Sequence, residues 1–302
     1  MMCRKATGAR EGNRRPEWHN RTGSHWRLLR VVRMRYDFSF SPQRLIGEAR
    51  MDEESVFTPS QFIGYIAQNL GLKKSALKIP RRLVMVYDRN ELRYLHGLIG
   101  GKAVKLWRGQ RPLQIGRYKR KPVASICNLI GAPAACMILE EVIAAGAKDI
   151  VEVGIAGGIQ PCLKPGDILV ITGGNRDEGT SYHYYPRDMK FESTLKLRQK
   201  IERYFDQRQQ KYYRGPVWTT DGVYRETKGK LRKFRREGVL GVNMETSALL
   251  AVARYRGVKL ASIQVISDIL SESDWLLAVH YKEVGDSMKK AMKCALEVLC
   301  SR

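Results

Sequence analysis

The chain carries no apolar run that is both long and free of charge, so nothing in it reads as a membrane span. It has no Cys-X-X-Cys pair and no His/Cys cluster, and its 5 histidines lie far apart, which removes the usual zinc arrangements. The basic N-terminus is not followed by an apolar core, so it is no secretory signal. There is no internal repeat and no low-complexity tract. Cysteines are few and scattered: Cys3, Cys127, Cys136, Cys162, Cys294 and Cys300. Four of them stand in apolar context, which reads as reduced, buried thiols and a cytoplasmic protein. Acidic residues are scarce too, 30 Asp and Glu against 54 Lys and Arg, a net charge of +24. Such a charge makes nucleic acid the first partner to consider. What is present is apolar content, 43% of 302 residues, enough to exclude wholesale disorder and to fill one large domain or two small ones.

The charge is unevenly placed. Residues 1–50 hold twelve basic and four acidic residues, a net +8, without sustained periodicity. They read as a disordered basic tail or an over-extended translation start, with Met34 or Met51 as the true one. An organelle transit peptide and a nucleic-acid-binding arm are the sharper alternatives. Arg81 to Lys121 carries twelve basic and two acidic residues, and Arg187 to Arg236 sixteen and six. Basic residues spread through folded segments usually form a solvated face.

Local signals give an order of elements. Thr58 before Pro59 and a helical spacing of apolar residues predict a capped helix. Leu83 to Tyr87 reads as a buried strand. Val104 to Trp107 and Leu113 to Tyr118 alternate like hairpin arms, and Pro122 to Leu129 is a further strand. Gly131-Ala-Pro133 opens a helix through Ala145. Strands at Asp149–Gly154, Asp167–Ile171, Val217–Thr220 and Leu260–Ile266 alternate with helices at Phe191–Gln209, Thr227–Glu237, Met244–Tyr255 and Val284–Leu299. Alternation of this kind predicts an α/β sheet flanked by helices.

Four segments can carry chemistry. Val153-Gly-Ile-Ala-Gly-Gly-Ile-Gln-Pro161 is a strand running into glycines, either a tight turn or a loop that lets backbone N–H groups approach an anion or sugar. Asn175-Arg-Asp-Glu-Gly-Thr-Ser-Tyr-His-Tyr184 packs charge, hydroxyls, a histidine and aromatics behind a strand, either a functional loop or a polar turn with a surface His183. Val242-Asn-Met-Glu-Thr-Ser247 puts Glu245 in a helix's first turn, where the dipole favours a carboxylate and where it could also accept two vicinal sugar hydroxyls. Val265-Ile-Ser-Asp268 ends a buried strand in an acid, a proton donor or a helix cap.

Together and in this order, the four segments resemble the nucleoside phosphorylase/nucleosidase family over roughly residues 80–300. Gly154-Ile-Ala-Gly-Gly-Ile-Gln-Pro161 and Pro165-Gly-Asp-Ile-Leu-Val170 look like the central segment of uridine phosphorylases, and Asp177 to His183 like the loop after it. Asn243-Met-Glu245 is similar to the family's ribose-holding pair, and Ser267-Asp268 to its purine-type branch. The resemblance implies an α/β fold with a central mixed, partly barrel-like sheet surrounded by helices, in a domain over 51–302. It implies a homo-oligomer, dimer or hexamer, with a neighbour contributing to each site. It implies no metal and no cofactor, with inorganic phosphate as co-substrate and a nucleoside as substrate.

The site roles follow from the same resemblance. Glu245 and Asp268 are the catalytic candidates. Met244, Glu245 and His183 would hold the ribose, and Val223, Tyr224 and Asp268 the base. Arg93, Arg111 and Gly154 would hold phosphate. Two positions depart from the pattern: Glu152 stands where an arginine is usual and Ile155 where a hydroxyl is usual. A carboxylate beside phosphate repels it. The expected activity is therefore phosphate-dependent cleavage of the N-glycosidic bond of a purine nucleoside or uridine. Hydrolysis by water and non-catalytic nucleoside sensing are the alternatives, and nucleic-acid binding ranks last.

Overall fold

The structure is a computed structural model that describes residues 54–107 and 112–301. The basic segment 1–50 and Arg111 lie outside the described residues. The first helix of the described residues is α1 (Pro59–Asn69), whose cap is the one expected: Thr58 Oγ1 accepts from Gln61 N and Gln61 Oε1 accepts from Thr58 N. The strands that build the sheet are β1 (Arg82–Val86), β2 (Lys102–Ala103), β3 (Leu113–Tyr118), β4 (Lys121–Cys127), β5 (Asp149–Gly158), β6 (Ile168–Asp177), β7 (Phe191–Glu192), β8 (Tyr213–Thr220), β9 (Gly241–Asn243), β10 (Lys259–Leu270) and β11 (Trp275–Leu277). Between them run α2 (Arg89–Ile99), α3 (Ala132–Ala144), α4 (Leu195–Asp206), α5 (Lys228–Arg236), α6 (Thr246–Tyr255) and the closing α7 (Lys282–Cys300).

The sheet is mixed and closes on itself at one end. Its order is β11-β10-β6-β8-β9-β5-β1-β4-β3-β2, and β10 also pairs with β5. That second pairing turns β5, β10, β6, β8 and β9 into a five-membered ring, from which β1, β4, β3 and β2 extend as an open wing. The partly barrel-like sheet expected from the resemblance is thus observed. Ala156, Leu169, Ile171, Val217 and Ile266 fill part of the ring. Elsewhere both faces of the sheet are covered. Leu83 and Met85 of β1 face the core shared with α3 and α6, while Val84 and Val86 face the core shared with α2 and α7. This two-sided burial is why β1 reads as an unbroken apolar run rather than an alternating one.

Three expectations change in detail. Val104 to Trp107 is a turn, not a hairpin arm; β3 pairs instead with the two-residue β2. The reason is Trp107, which is 1% exposed and is drawn into the core where a strand would have thrust it out. The glycine segment is also no turn: β5 continues through Gly158, pairing with both β9 and β10. Glycine leaves room there for neighbouring side chains, since a Cβ on Gly157 would lie 2.4 Å from Leu270 Cδ1 and 3.0 Å from Asp268 Oδ2, whose ends would have to move. Finally, β10 runs past Asp268 to Leu270 and pairs with β11, so Asp268 caps no helix. Among the described residues no helix is long and apolar enough to cross a membrane. Cys127, Cys136, Cys294 and Cys300 are buried free thiols.

Candidate active site

The parallel strands β1, β5 and β10 end on one side of the sheet, where a cleft of 1010 Å³ opens. Its walls bring together Gly154, Val223, Tyr224, Met244, Glu245 and Asp268. These residues span more than a hundred positions of sequence, and all were singled out from the sequence.

One end of the cleft is the Met244–Glu245 corner. Glu245 is 7% exposed and sits just before α6. Its Oε1 accepts from Gly131 N at 2.8 Å and its Oε2 from Met244 N at 3.1 Å. Burial pushes its carboxyl up to about 7, with the nearby Glu152 adding and the two backbone donors opposing. Beneath it lies a buried chain of hydrogen bonds. Tyr87 donates to Glu152 Oε1 at 2.7 Å and Thr246 to Glu152 Oε2 at 2.9 Å. Asn243 donates to Thr246 at 2.5 Å, Thr219 to Asn243 at 2.9 Å, and Ser247 N to Thr219 at 3.0 Å. The network ties β1, β5, β8 and β9 to the first turn of α6, so the corner cannot shift without breaking several buried bonds.

Glu152 therefore has a different place from the one its sequence position suggests. It is fully buried below the cleft, with both oxygens taken by Tyr87 and Thr246, and burial raises its pKa. It holds the scaffold rather than facing an anion. Among the side chains that line the cleft from this wall is Glu91. Its Oε2 accepts from Tyr87 N and Asp88 N, closing the capping box of α2, and burial lifts it to about 7. Arg93 is a correction. Of α2, Asn90, Glu91 and Tyr94 line the cleft. Arg93 is exposed and donates to Asn90 Oδ1 at 2.7 Å. It is not among the residues that line the cleft.

The other end is built from loops. Val223 and Tyr224 lie in a 3-10 turn, Val223–Arg225, at 46% and 96% exposed. Asp268 Oδ1 accepts from Ser267 Oγ at 2.7 Å, and Oδ2 from the indole of Trp275 at 2.8 Å. Glu226 also lines this end. Sequence reasoning missed Glu226 and Trp275. Glu226 stands two positions after Tyr224 and could have been suspected for that. Nothing local marks Trp275, because only the β10–β11 pairing returns it to Asp268.

His183 is not brought to this cleft. It is exposed at the end of the 3-10 turn Thr180–His183 and lines a separate pocket of 770 Å³ with Glu140, Tyr184, Asp221 and Arg256. The loop before it acts as a brace: Glu178 accepts from Ser181 and, at 3.0 Å, from Ser247 of α6. Among the described residues no group of three or more His, Cys, Asp or Glu side chains is placed to hold a metal ion.

The family model described as the phosphorylase superfamily matches residues 83–301. A purine nucleoside phosphorylase of DeoD type from Buchnera aphidicola is 27% identical over 188 residues, 60% of this chain and 77% of that protein. An uncharacterized protein of Acanthamoeba polyphaga mimivirus is 28% identical over 159 residues, 52% of this chain and 61% of that protein. The crystal structure of uridine phosphorylase from Vibrio fischeri ES114 superposes with a TM-score of 0.68 at 25% identity, covering 75% of this chain and 95% of that one.

Proposed function

The chain belongs to the phosphorylase superfamily, and from that premise we propose that it cleaves the N-glycosidic bond of a nucleoside, with phosphate as the acceptor of the sugar. The observation that carries the reading is the convergence of Met244, Glu245, Tyr224 and Asp268 on one cleft. In this reading Glu245 grips the ribose. Each of its oxygens already accepts one backbone bond, which aims its remaining lone pairs into the cleft for two vicinal hydroxyls. Met244 packs under the sugar ring. Tyr224 covers the base, and Asp268, oriented by Ser267 and Trp275, meets it as the bond breaks and the base gains negative charge. Holding sugar and base in one geometry removes much of the entropic barrier. Phosphate would approach beside Gly154, which lines the cleft with the Gln264 and Tyr87 side chains packed against it. His183, turned away from its own cleft, would serve only a neighbouring copy in a homo-oligomer.

A second reading replaces phosphate with water, and Glu91 favours it. A carboxyl on the cleft wall that titrates near 7 suits a general base at neutral pH. One assay separates the two. The protein is incubated with guanosine, inosine, adenosine and uridine, with and without phosphate, and free base is measured. Release that requires phosphate supports phosphorolysis, and release without it supports hydrolysis. No release from any nucleoside sinks both.

A further inference from the structure

Helix α5 has no part in the roles above. Six of its nine residues are Lys or Arg and none is acidic. Its apolar side is used inside the fold, where Leu231 and Phe234 are buried with Trp218, Val239 and Val242. Lys228, Arg232, Lys233 and Arg236 are exposed, as is Arg225 in the turn before the helix. Lys230 pairs with Asp177 and Arg232 with Glu272, both at 2.6 Å, and Arg235 donates to the carbonyls of Ile159 and Leu270. Among the described residues no carboxylate is paired with Arg225, Lys228, Lys233 or Arg236. Lys228, Arg232 and Arg236 stand four residues apart, so like charges adjoin along the helix and repel. Lys228 and Lys230 also occupy the first turn, the end where the helix dipole disfavours cations. The fold gains nothing from this arrangement, whereas an external polyanion does.

We infer that the solvent face of α5 is a binding surface for single-stranded nucleic acid, with Lys228, Lys233 and Arg236 on the phosphates. Two exposed rings flank the helix and supply stacking faces. Tyr224, 96% exposed, directly precedes Arg225, and Trp275, 59% exposed, follows by three residues the Glu272 that bridges to Arg232. Free cations beside exposed aromatics are what a single strand requires, because its bases present their faces and its backbone its charge. A duplex hides those faces. An anionic membrane would call for apolar side chains beside the charge, and those of α5 are packed inward. The surface adds a partner to the proposed reaction rather than a step in it.

The test uses the full chain, so the basic segment 1–50 is present in every arm. A fluorescent oligouridylate, an RNA duplex of equal length and phosphatidylserine vesicles are the probes, each titrated over a series of salt concentrations. Wild type should bind the oligouridylate with an affinity that falls as salt rises. The combined variant Lys228→Ala, Lys233→Ala, Arg236→Ala should bind it about a hundredfold more weakly at about 0.1 M salt and lower the salt slope by about two, three lost contacts at about 0.7 each. If that variant fails to fold by circular dichroism, Lys233→Ala alone carries the test, with an expected loss of about fivefold. Tyr224→Ala should weaken the single strand about tenfold and leave the duplex unchanged. These readouts are of binding, so they stand whether or not the cleft turns over a nucleoside. No salt-dependent binding of the oligouridylate overturns the inference. So does a charge variant that binds like wild type, which would move the contact to residues 1–50. A duplex bound as tightly as the single strand, or vesicles bound in place of either, overturns it as well.

Discussion

The two ends of the cleft are built by different means. The Met244–Glu245 corner is buried and braced by bonds that reach from Tyr87 through Glu152 and Thr246 to Thr219. The Val223–Glu226 and Trp275 end is made of turns and an edge strand, with Tyr224 at 96% and Trp275 at 59% exposed. The ribose is common to all ribonucleosides, and a rigid clamp suits it. Bases differ, and side chains carried on exposed loops can change without disturbing the core. On the proposed function, the contrast would put the reaction in the scaffold and the choice of base in the loops.

The comparison can be broken at either end. The largest effect is expected from Glu245→Ala, which removes the sugar clamp: base release should fall about a thousandfold, with the far-ultraviolet circular dichroism unchanged. A loss below tenfold would move the clamp elsewhere. Next, Glu152→Ala removes the acceptor of the half-buried Tyr87 hydroxyl and of the buried Thr246 hydroxyl and should cost about 3 kcal/mol in urea unfolding. A variant as stable as wild type would show that the brace is dispensable.

A pH effect follows from three carboxyls. Glu91, Glu226 and Glu245 each rise from 4.5 to about 7 in the fold, so the native state holds more protons than the unfolded one between those values. Their contribution to stability is full below about pH 4.5 and is lost as pH rises through about 7. Urea midpoints at pH 5 and pH 8 should differ in that direction, and Glu245→Gln should narrow the gap. The smallest change is expected from Trp275→Phe, which keeps the ring but deletes the donor to Asp268. Turnover should drop severalfold with stability unaltered, because the side chain is exposed. A fall in melting temperature instead would make Trp275 part of the scaffold.

Legibility followed the range of the interaction concerned. The Thr58 cap, the Pro133 helix opening and the two-sided strand β1 rest on neighbours in sequence, and they stand where they were expected. Met244, Glu245, Tyr224 and Asp268 were readable because their segments keep a family's order, and they do share one cleft. The phosphate role that the resemblance implied for Arg93 is not matched by its place in the fold, since the α2 residues that line the cleft are Asn90, Glu91 and Tyr94. Glu152 was read as facing an anion because its position on β5 says nothing of depth; its partners come from β1 and α6.

By itself, then, the amino-acid sequence determined the periods, the caps, the excess of positive charge and the motifs of a nucleoside-handling family, all of which depend on residues close together along the chain. Only the tertiary structure decided that β10 pairs with both β5 and β6, so closing the ring. It alone placed Glu152 beneath the cleft, His183 outside it, and Glu226 and Trp275 on its wall with Asp268. Those outcomes depend on strand pairing and burial between segments far apart in sequence, which local preference does not encode.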